Sequence, residues 1–343
     1  MHYDVVVIGA GPGGSVAAYT LAKEGARVLL VDSRKEVGYP VQCAEFVPVQ
    51  LYYKFPEFFS PQTIAQKVNN MVHFTPWGEI ITMYSEGFIL NRNLWDKRIA
   101  ELATKEGAEL MLKTKFIGYE GNFVFLKDLR KNEILKISAD FVIGADGARS
   151  TVARLTGKYT KKFLITAQYT LRLKKKLDDL LIFFRDYIKG GYGWIFPKGD
   201  IANVGVGIDL DYRLNVVEVL NKFVKELEDF IYIKTILGRT GGFIPGEGIV
   251  KPLRGKFLLV GDAGGFCHPI TGGGIANAVI TGDMAGRAIL EGEIKEYEEE
   301  SMDTLGQSIN RAAEKRRRFM KEWDNLEFRI PKTWIAFEEY YKD

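Results

Sequence analysis

The chain opens on two nearly unbroken apolar runs, residues 3–8 and 26–31, with the helix-prone stretch 17–24 between them. Apolar runs without alternation are the pattern of strands buried on both faces of a parallel sheet. Between residues 38 and 91 the pattern becomes loops and short aromatic-rich strands, with hairpin signals at Trp77-Gly78. Helical periodicity returns at Leu94, Ile99, Leu102 and Ala103 and stops at Gly107, a common helix terminator. A strand over 109–114 follows, then a hairpin turning at Gly121-Asn122. Residues 164–209 alternate as a β-rich region, and 214–230 read as an amphipathic helix. A last buried strand at 256–260 precedes a helix over 274–291. The final 50 residues read as helical, with an acidic run (296–300) and a basic run (315–318) expected to be solvated helix faces.

The segment joining the first strand to its helix, Gly9-Ala10-Gly11-Pro12-Gly13-Gly14, has Gly-x-Gly-x-x-Gly spacing, and Asp32 closes the second strand 18 residues after Gly14. This is the adenine-dinucleotide fingerprint. Gly9 permits the tight turn, Gly11 lets a pyrophosphate approach the backbone, and Gly14 allows close packing. The helix N-terminus offers free N–H groups to the phosphates, and Asp32 suits a ribose hydroxyl. The expected fold class is α/β: a Rossmann-type dinucleotide domain built from discontinuous segments, with a mostly antiparallel, α+β second domain. The expected boundaries are 1–50, 88–160 and 250–292 for the cofactor domain. The substrate domain takes 51–87 and 161–249, and 293–343 forms a C-terminal helical segment.

Composition narrows the chemistry. A net charge of +3 from 47 basic and 44 acidic residues gives no case for a nucleic-acid partner. Two cysteines, Cys43 and Cys267, exclude an iron–sulfur or four-cysteine zinc site, and three scattered histidines make no metal centre, so none is expected. No apolar run reaches the roughly 18 residues of a membrane span, and no targeting segment precedes the first strand. The expectation is a cytoplasmic protein, with peripheral contact at the inner face of the membrane as an addition to it.

Two further motifs carry a resemblance. At Gly144-Ala145-Asp146-Gly147-Ala148-Arg149-Ser150 and Gly261-Asp262-Ala263 the sequence resembles FAD proteins of the glutathione-reductase type, in their hydroxylase-like branch. Val37 to Glu45 resembles the cysteine-bearing loop of geranylgeranyl reductases, and Tyr192-Gly193-Trp194-Ile195-Phe196-Pro197 their Tyr-x-Trp-x-Phe-Pro motif. The similarity runs from Met1 to about Leu290. Phe46 departs from it, standing where that family usually has glycine, and so does Lys189, where a proline is common.

The resemblance implies FAD as cofactor and reduction of isoprenoid double bonds in archaeal-type membrane lipids as the activity. It assigns to the cofactor Gly9, Gly11, Gly13, Gly14, Asp32, Cys43, Ala44, Phe46, Arg92, Phe116, Asp262, Gly273, Gly274 and Ile275. Asp262 would meet the ribityl chain, and the glycine triplet with Ile275 the N1–C2=O edge of the flavin. Phe116 would offer main chain to adenine while its side chain joins the core. Cys43, Tyr192 and Trp194 are the candidate catalytic residues. For Cys43, packing against the flavin, proton donation and redox exchange all stand, as does a disulfide to Cys267. Tyr192, Trp194 and Phe196 alternate and so share one face, either a core face or the wall of an apolar tunnel. NAD(P)H and reduced ferredoxin are both open as electron donors. An aromatic hydroxylase or halogenase, and an electron-transfer flavoprotein, are the rival readings.

Overall fold

The computed structural model describes residues 1–157 and 159–342. Its first sheet has a parallel core in the order Phe257–Leu259, Glu133–Gly144, His2–Ile8, Val28–Asp32, Glu109–Leu112. Strand pleating sends alternate side chains of the first strand to opposite faces. Val5 and Val7 meet a helical layer made by Pro12–Lys23, Arg92–Lys105 and Ile275–Leu290, while Val6 and Ile8 meet the antiparallel hairpin Thr114–Glu120/Phe123–Asp128. The helical layer is tight because glycine lines it. A Cβ on Gly282 would stand 2.2 Å from the Gly13 carbonyl oxygen.

The second sheet runs Ile231–Pro245, Phe163–Leu173, Ile201–Asp209, Tyr192–Lys198, Leu180–Phe183, Ile64–Phe74, Ile80–Leu90, Phe46–Pro48. Every pairing is antiparallel except that of Leu180–Phe183 with Ile64–Phe74. The chain therefore passes between sheets near Glu45 and Leu90, a few residues from the expected 50 and 88. The helix Val216–Lys225 covers one face through Leu220 and Phe223.

The C-terminal segment covers the other face. Its helices Gln307–Phe319 and Leu326–Thr333 and the tail beyond bury Ala312, Ile330, Trp334 and Phe337 against Trp194 and Phe196. The basic run is accordingly not all solvated, which corrects the expectation for 315–318. Arg316 is buried, donating to Asp209 at 2.6 Å and to the Gly190 carbonyl at 3.1 Å. Those contacts fasten the tail to the second sheet.

Candidate active site and cofactor cradle

A cavity of about 1100 Å³ runs from the first glycine turn, between the two sheets, to the C-terminal tail. That is at the upper end of the usual ~300–1,000 Å³ of a small-molecule site. Two helices begin at this cavity with no side chain capping them, Pro12–Lys23 behind Gly11 and Ile275–Leu290 behind Gly274. Their unpaired N–H groups give the cavity two anion-favouring points.

The glycines of the first turn have separable roles. Gly9 has a φ of +106°, and a Cβ there would lie 2.3 Å from the Ala145 carbonyl oxygen. A Cβ on Gly14 would come within 1.9 Å of the Gly9 carbonyl oxygen, whereas one on Gly11 would meet nothing within 4 Å. Gly11 thus faces the open cavity that a pyrophosphate would fill. Gly13 also borders the cavity, but its missing Cβ makes room for the Ala278 carbonyl of the neighbouring helix.

Asp32 reaches the cavity already engaged. It accepts from the Ala10 N–H (2.8 Å), the Arg34 N–H (2.8 Å), and the Arg34 guanidinium (2.7 and 3.0 Å). Those donors hold its carboxyl below the usual range against the opposing effect of burial. A ribose hydroxyl there must share the carboxylate with Arg34 or displace it. Phe116 is buried in the core below, on a strand that borders the cavity. Asp146 caps the helix Thr151–Leu155 instead of facing a ligand alone, accepting from the Ser150 hydroxyl and the Thr151 N–H.

At the second anion point the Asp262 side-chain carboxylate takes no hydrogen bond from any described residue. Burial raises its carboxyl to about 6, with Arg92 opposing. A Cβ on Gly274 would lie 3.0 Å from Asp262 Oδ1 and 3.2 Å from Cys267 Sγ, so glycine there lets both approach the helix start. Gly273 and Ile275 border the same cavity. Arg92 is half-buried and bidentate to Asp96 (2.7 and 2.9 Å), so its charge reaches Asp262 through space.

Cys43 sits where the two domains meet. Both cysteines are free thiols, which sets aside a Cys43–Cys267 disulfide. Burial pushes the Cys43 thiol up, with Arg92 opposing, which favours the protonated thiol. The second domain grips its loop residue by residue. Thr240 donates to the Val41 carbonyl, Gln42 to the Gly241 carbonyl, Gln168 to the Cys43 carbonyl and Asn203 to the Ala44 carbonyl. Glu45, at φ +75°, accepts from Lys198 (2.7 Å), Asn203 (2.8 Å) and the Arg92 N–H (3.0 Å).

Tyr192 and Trp194 are both brought to this cavity. The Tyr192 hydroxyl donates to the Thr271 carbonyl at 2.5 Å, just ahead of the glycine triplet, and burial raises its pKa. Its ring meets Trp334 edge-on at 4.8 Å. Trp194 donates its indole N–H to Gln168. Phe46 turns its ring edge to Phe196 at 6.4 Å and borders the cavity beside Ala44.

Sequence reasoning missed Gln168, Asn203, Lys198, His268 and the tail residues Trp334 and Tyr340. The first two carried a signal: polar residues inside otherwise apolar central strands need buried partners. His268 is half-buried with its pKa lowered to about 4 by desolvation, and its Nδ1 accepts from the Thr271 N–H.

This architecture, a glycine-turn dinucleotide domain with an inserted antiparallel sheet and a cavity between them, is that of a two-domain flavoprotein oxidoreductase, and the cofactor is FAD. Residues 3–185 match the pyridine nucleotide-disulphide oxidoreductase family and residues 163–243 the geranylgeranyl reductase catalytic domain. Digeranylgeranylglycerophospholipid reductase of Methanococcus aeolicus is 35% identical over 92% of this chain and 83% of its own length. That of Methanocaldococcus jannaschii is 36% identical over 86% and 81%. A geranylgeranyl bacteriochlorophyll reductase-like structure from Thermoplasma acidophilum superposes with a TM-score of 0.85 at 26% identity, covering 97% of this chain and 96% of that one. The chain belongs to the geranylgeranyl reductase family. The flavin-dependent brominase Bmp2 shares the fold, with a TM-score of 0.75 at 16% identity over 96% of this chain and 90% of that one.

Proposed function

We propose that this protein saturates the double bonds of geranylgeranyl chains on archaeal-type glycerophospholipids or their precursors. The observation that carries this reading is the continuity of one cavity from the dinucleotide turn to an apolar wall of Phe46, Met71, Ile182, Trp194, Phe196 and Trp334. FAD, when reduced, supplies hydride to an alkene carbon. The chain's own residues would do the rest. Gly9, Gly11, Gly14 and the helix behind them hold the pyrophosphate, Asp262 and the Gly273-Gly274-Ile275 turn the flavin end, and Arg92 the charge balance there. The apolar wall excludes water and holds the isoprenoid chain extended. Trp194 and Tyr192 present ring faces to a tertiary carbon that gains positive character, and the protonated Cys43 thiol is the proton source for the second carbon.

The electron donor, NAD(P)H or reduced ferredoxin, would visit transiently. No helix among the described residues is long and apolar enough to cross a membrane. The test is anaerobic incubation of the reduced, FAD-loaded protein with a digeranylgeranylglyceryl phospholipid, followed by mass spectrometry. Two hydrogens gained per double bond support the reading, and turnover that requires oxygen overturns it in favour of a hydroxylase or halogenase.

A further inference from the structure

The charged groups that line the cavity are unevenly distributed. Its acids, Asp32, Glu45, Asp146 and Asp262, all lie on segments that build the dinucleotide cradle or the Cys43 loop. The part of the lining supplied by the C-terminal segment has no acid. It offers Ile309, Ile335 and the tyrosines at 340 and 341, together with Gln307, Ser308 and Arg311.

Gln307 and Ser308 precede Arg311 by four and three residues on one helix, so the three share a face. Gln307, Ser308 and Tyr341 are exposed and Arg311 half-buried, which makes this corner a rim between cavity and solvent. No described residue forms a hydrogen bond or ion pair with the Arg311 guanidinium. Its charge is felt by Tyr340, where it opposes the rise that burial imposes on the phenol. The helix is also held in place, because Arg316 is fastened to Asp209 and Gly190, and Lys315 donates to the Lys342 carbonyl at 2.6 Å. An unpaired guanidinium on a fixed helix, flanked by two neutral donors at the edge of an apolar cavity, fits the polar end of a ligand whose other end is apolar.

We propose that this rim holds the phosphate headgroup of the lipid substrate, with Arg311 as its charge partner and Gln307 and Ser308 as neutral donors. The isoprenoid chain would enter from there toward Trp334 and Trp194. The proposal rests on the lipid-reductase reading above and adds a headgroup preference to it.

Binding is followed by quenching of tryptophan fluorescence, since Trp194 and Trp334 border the cavity, and needs no turnover. The probes are digeranylgeranylglyceryl phosphate, the uncharged digeranylgeranylglycerol, and inorganic phosphate. Wild type is expected to prefer the phosphorylated lipid by about tenfold or more, the worth of a charge-assisted hydrogen bond. Arg311→Gln should erase most of that ratio, Arg311→Lys should keep part of it, and Arg317→Gln, on the same helix but off the lining, should keep all of it. An Arg311→Gln variant with the wild-type ratio overturns the proposal. So does inorganic phosphate that occupies the rim while neither lipid competes with it, which would make this a free-phosphate site. Failure of wild type to bind either lipid overturns the lipid-reductase reading itself, a separate outcome.

Discussion

The indole N–H of Trp194 and the main-chain carbonyl of Cys43 are held by the two ends of a single amide. Gln168 accepts from the indole at 3.1 Å through Oε1 and donates to the carbonyl at 3.1 Å through Nε2. The aromatic wall and the thiol loop, on different domains, are thereby fixed to one another. Gln168→Leu should strand a buried donor and loosen the loop, destabilising the protein by about 1–3 kcal/mol. Chemical denaturation measures the loss, and Cys43 should alkylate faster while buried Cys267 stays protected. Unchanged alkylation would mean that the other loop contacts suffice to hold Cys43.

Glu45 is the second clamp and the one most sensitive to charge. Its carboxylate, 4% exposed, meets the Lys198 ammonium, 17% exposed, at 2.7 Å. Removing one partner of such a pair leaves the other uncompensated in low dielectric, at a cost of about 3–5 kcal/mol. Glu45→Ala should therefore lower the denaturation midpoint more than Glu45→Gln, which can still accept from Asn203 and the Arg92 N–H. A double-mutant cycle with Lys198→Met isolates the pairwise interaction. A coupling near zero would show that the ammonium finds water instead.

The cofactor domain was readable because its signals are local. Apolar runs at 3–8 and 256–260, and glycines spaced by the turn they make, each occupy fewer than 20 residues of chain. The clamps on Cys43 come from Gln168, Lys198 and Asn203, more than 120 residues away, and no local period announces them. Only the chemical oddity of Gln168 and Asn203 within apolar strands points to buried partners. The tail was read as solvated helix from its charge runs, which hid the apolar residues Ala312, Trp334 and Tyr340, spread over three segments, that it packs against the second sheet. Asp32 stands at the position the fingerprint sets, and its partner Arg34, two residues on, was within local reach of the sequence but carried no motif that announced it.

Two glycines of the first turn should respond differently to substitution. Gly11 has an ordinary φ of −81°, and the space its Cβ would enter is empty of protein. Gly11→Val should fold with near-wild-type stability of the apoprotein and lose FAD, which the flavin absorbance of the purified protein reports. Gly14→Ala should instead damage the fold, because its Cβ would lie 1.9 Å from a backbone oxygen that cannot move aside. A yellow Gly11→Val protein would contradict the role given to Gly11.

Asp262 should write its burial into the pH dependence of the apoprotein. Its carboxyl is raised from 3.8 to about 6 by desolvation. A raised folded-state pKa contributes stability that is fully present below the unfolded value and lost as pH rises through the folded one. Wild type should therefore lose up to about 3 kcal/mol between pH 4 and pH 7 from this group, since each pKa unit corresponds to about 1.4 kcal/mol. His73 and His268 work the other way. Both are lowered to about 4 by burial, so their contribution falls as pH drops from about 6.5 toward 4. The total curve mixes these signs, but Asp262→Asn cancels only one of them. The stability of this variant relative to wild type, from denaturation of FAD-free protein, should be near zero at pH 4 and rise toward the full difference by pH 7. A flat difference across that range would mean that the Asp262 carboxylate is solvated in the apoprotein, and that the cavity around it fills with water when the flavin leaves.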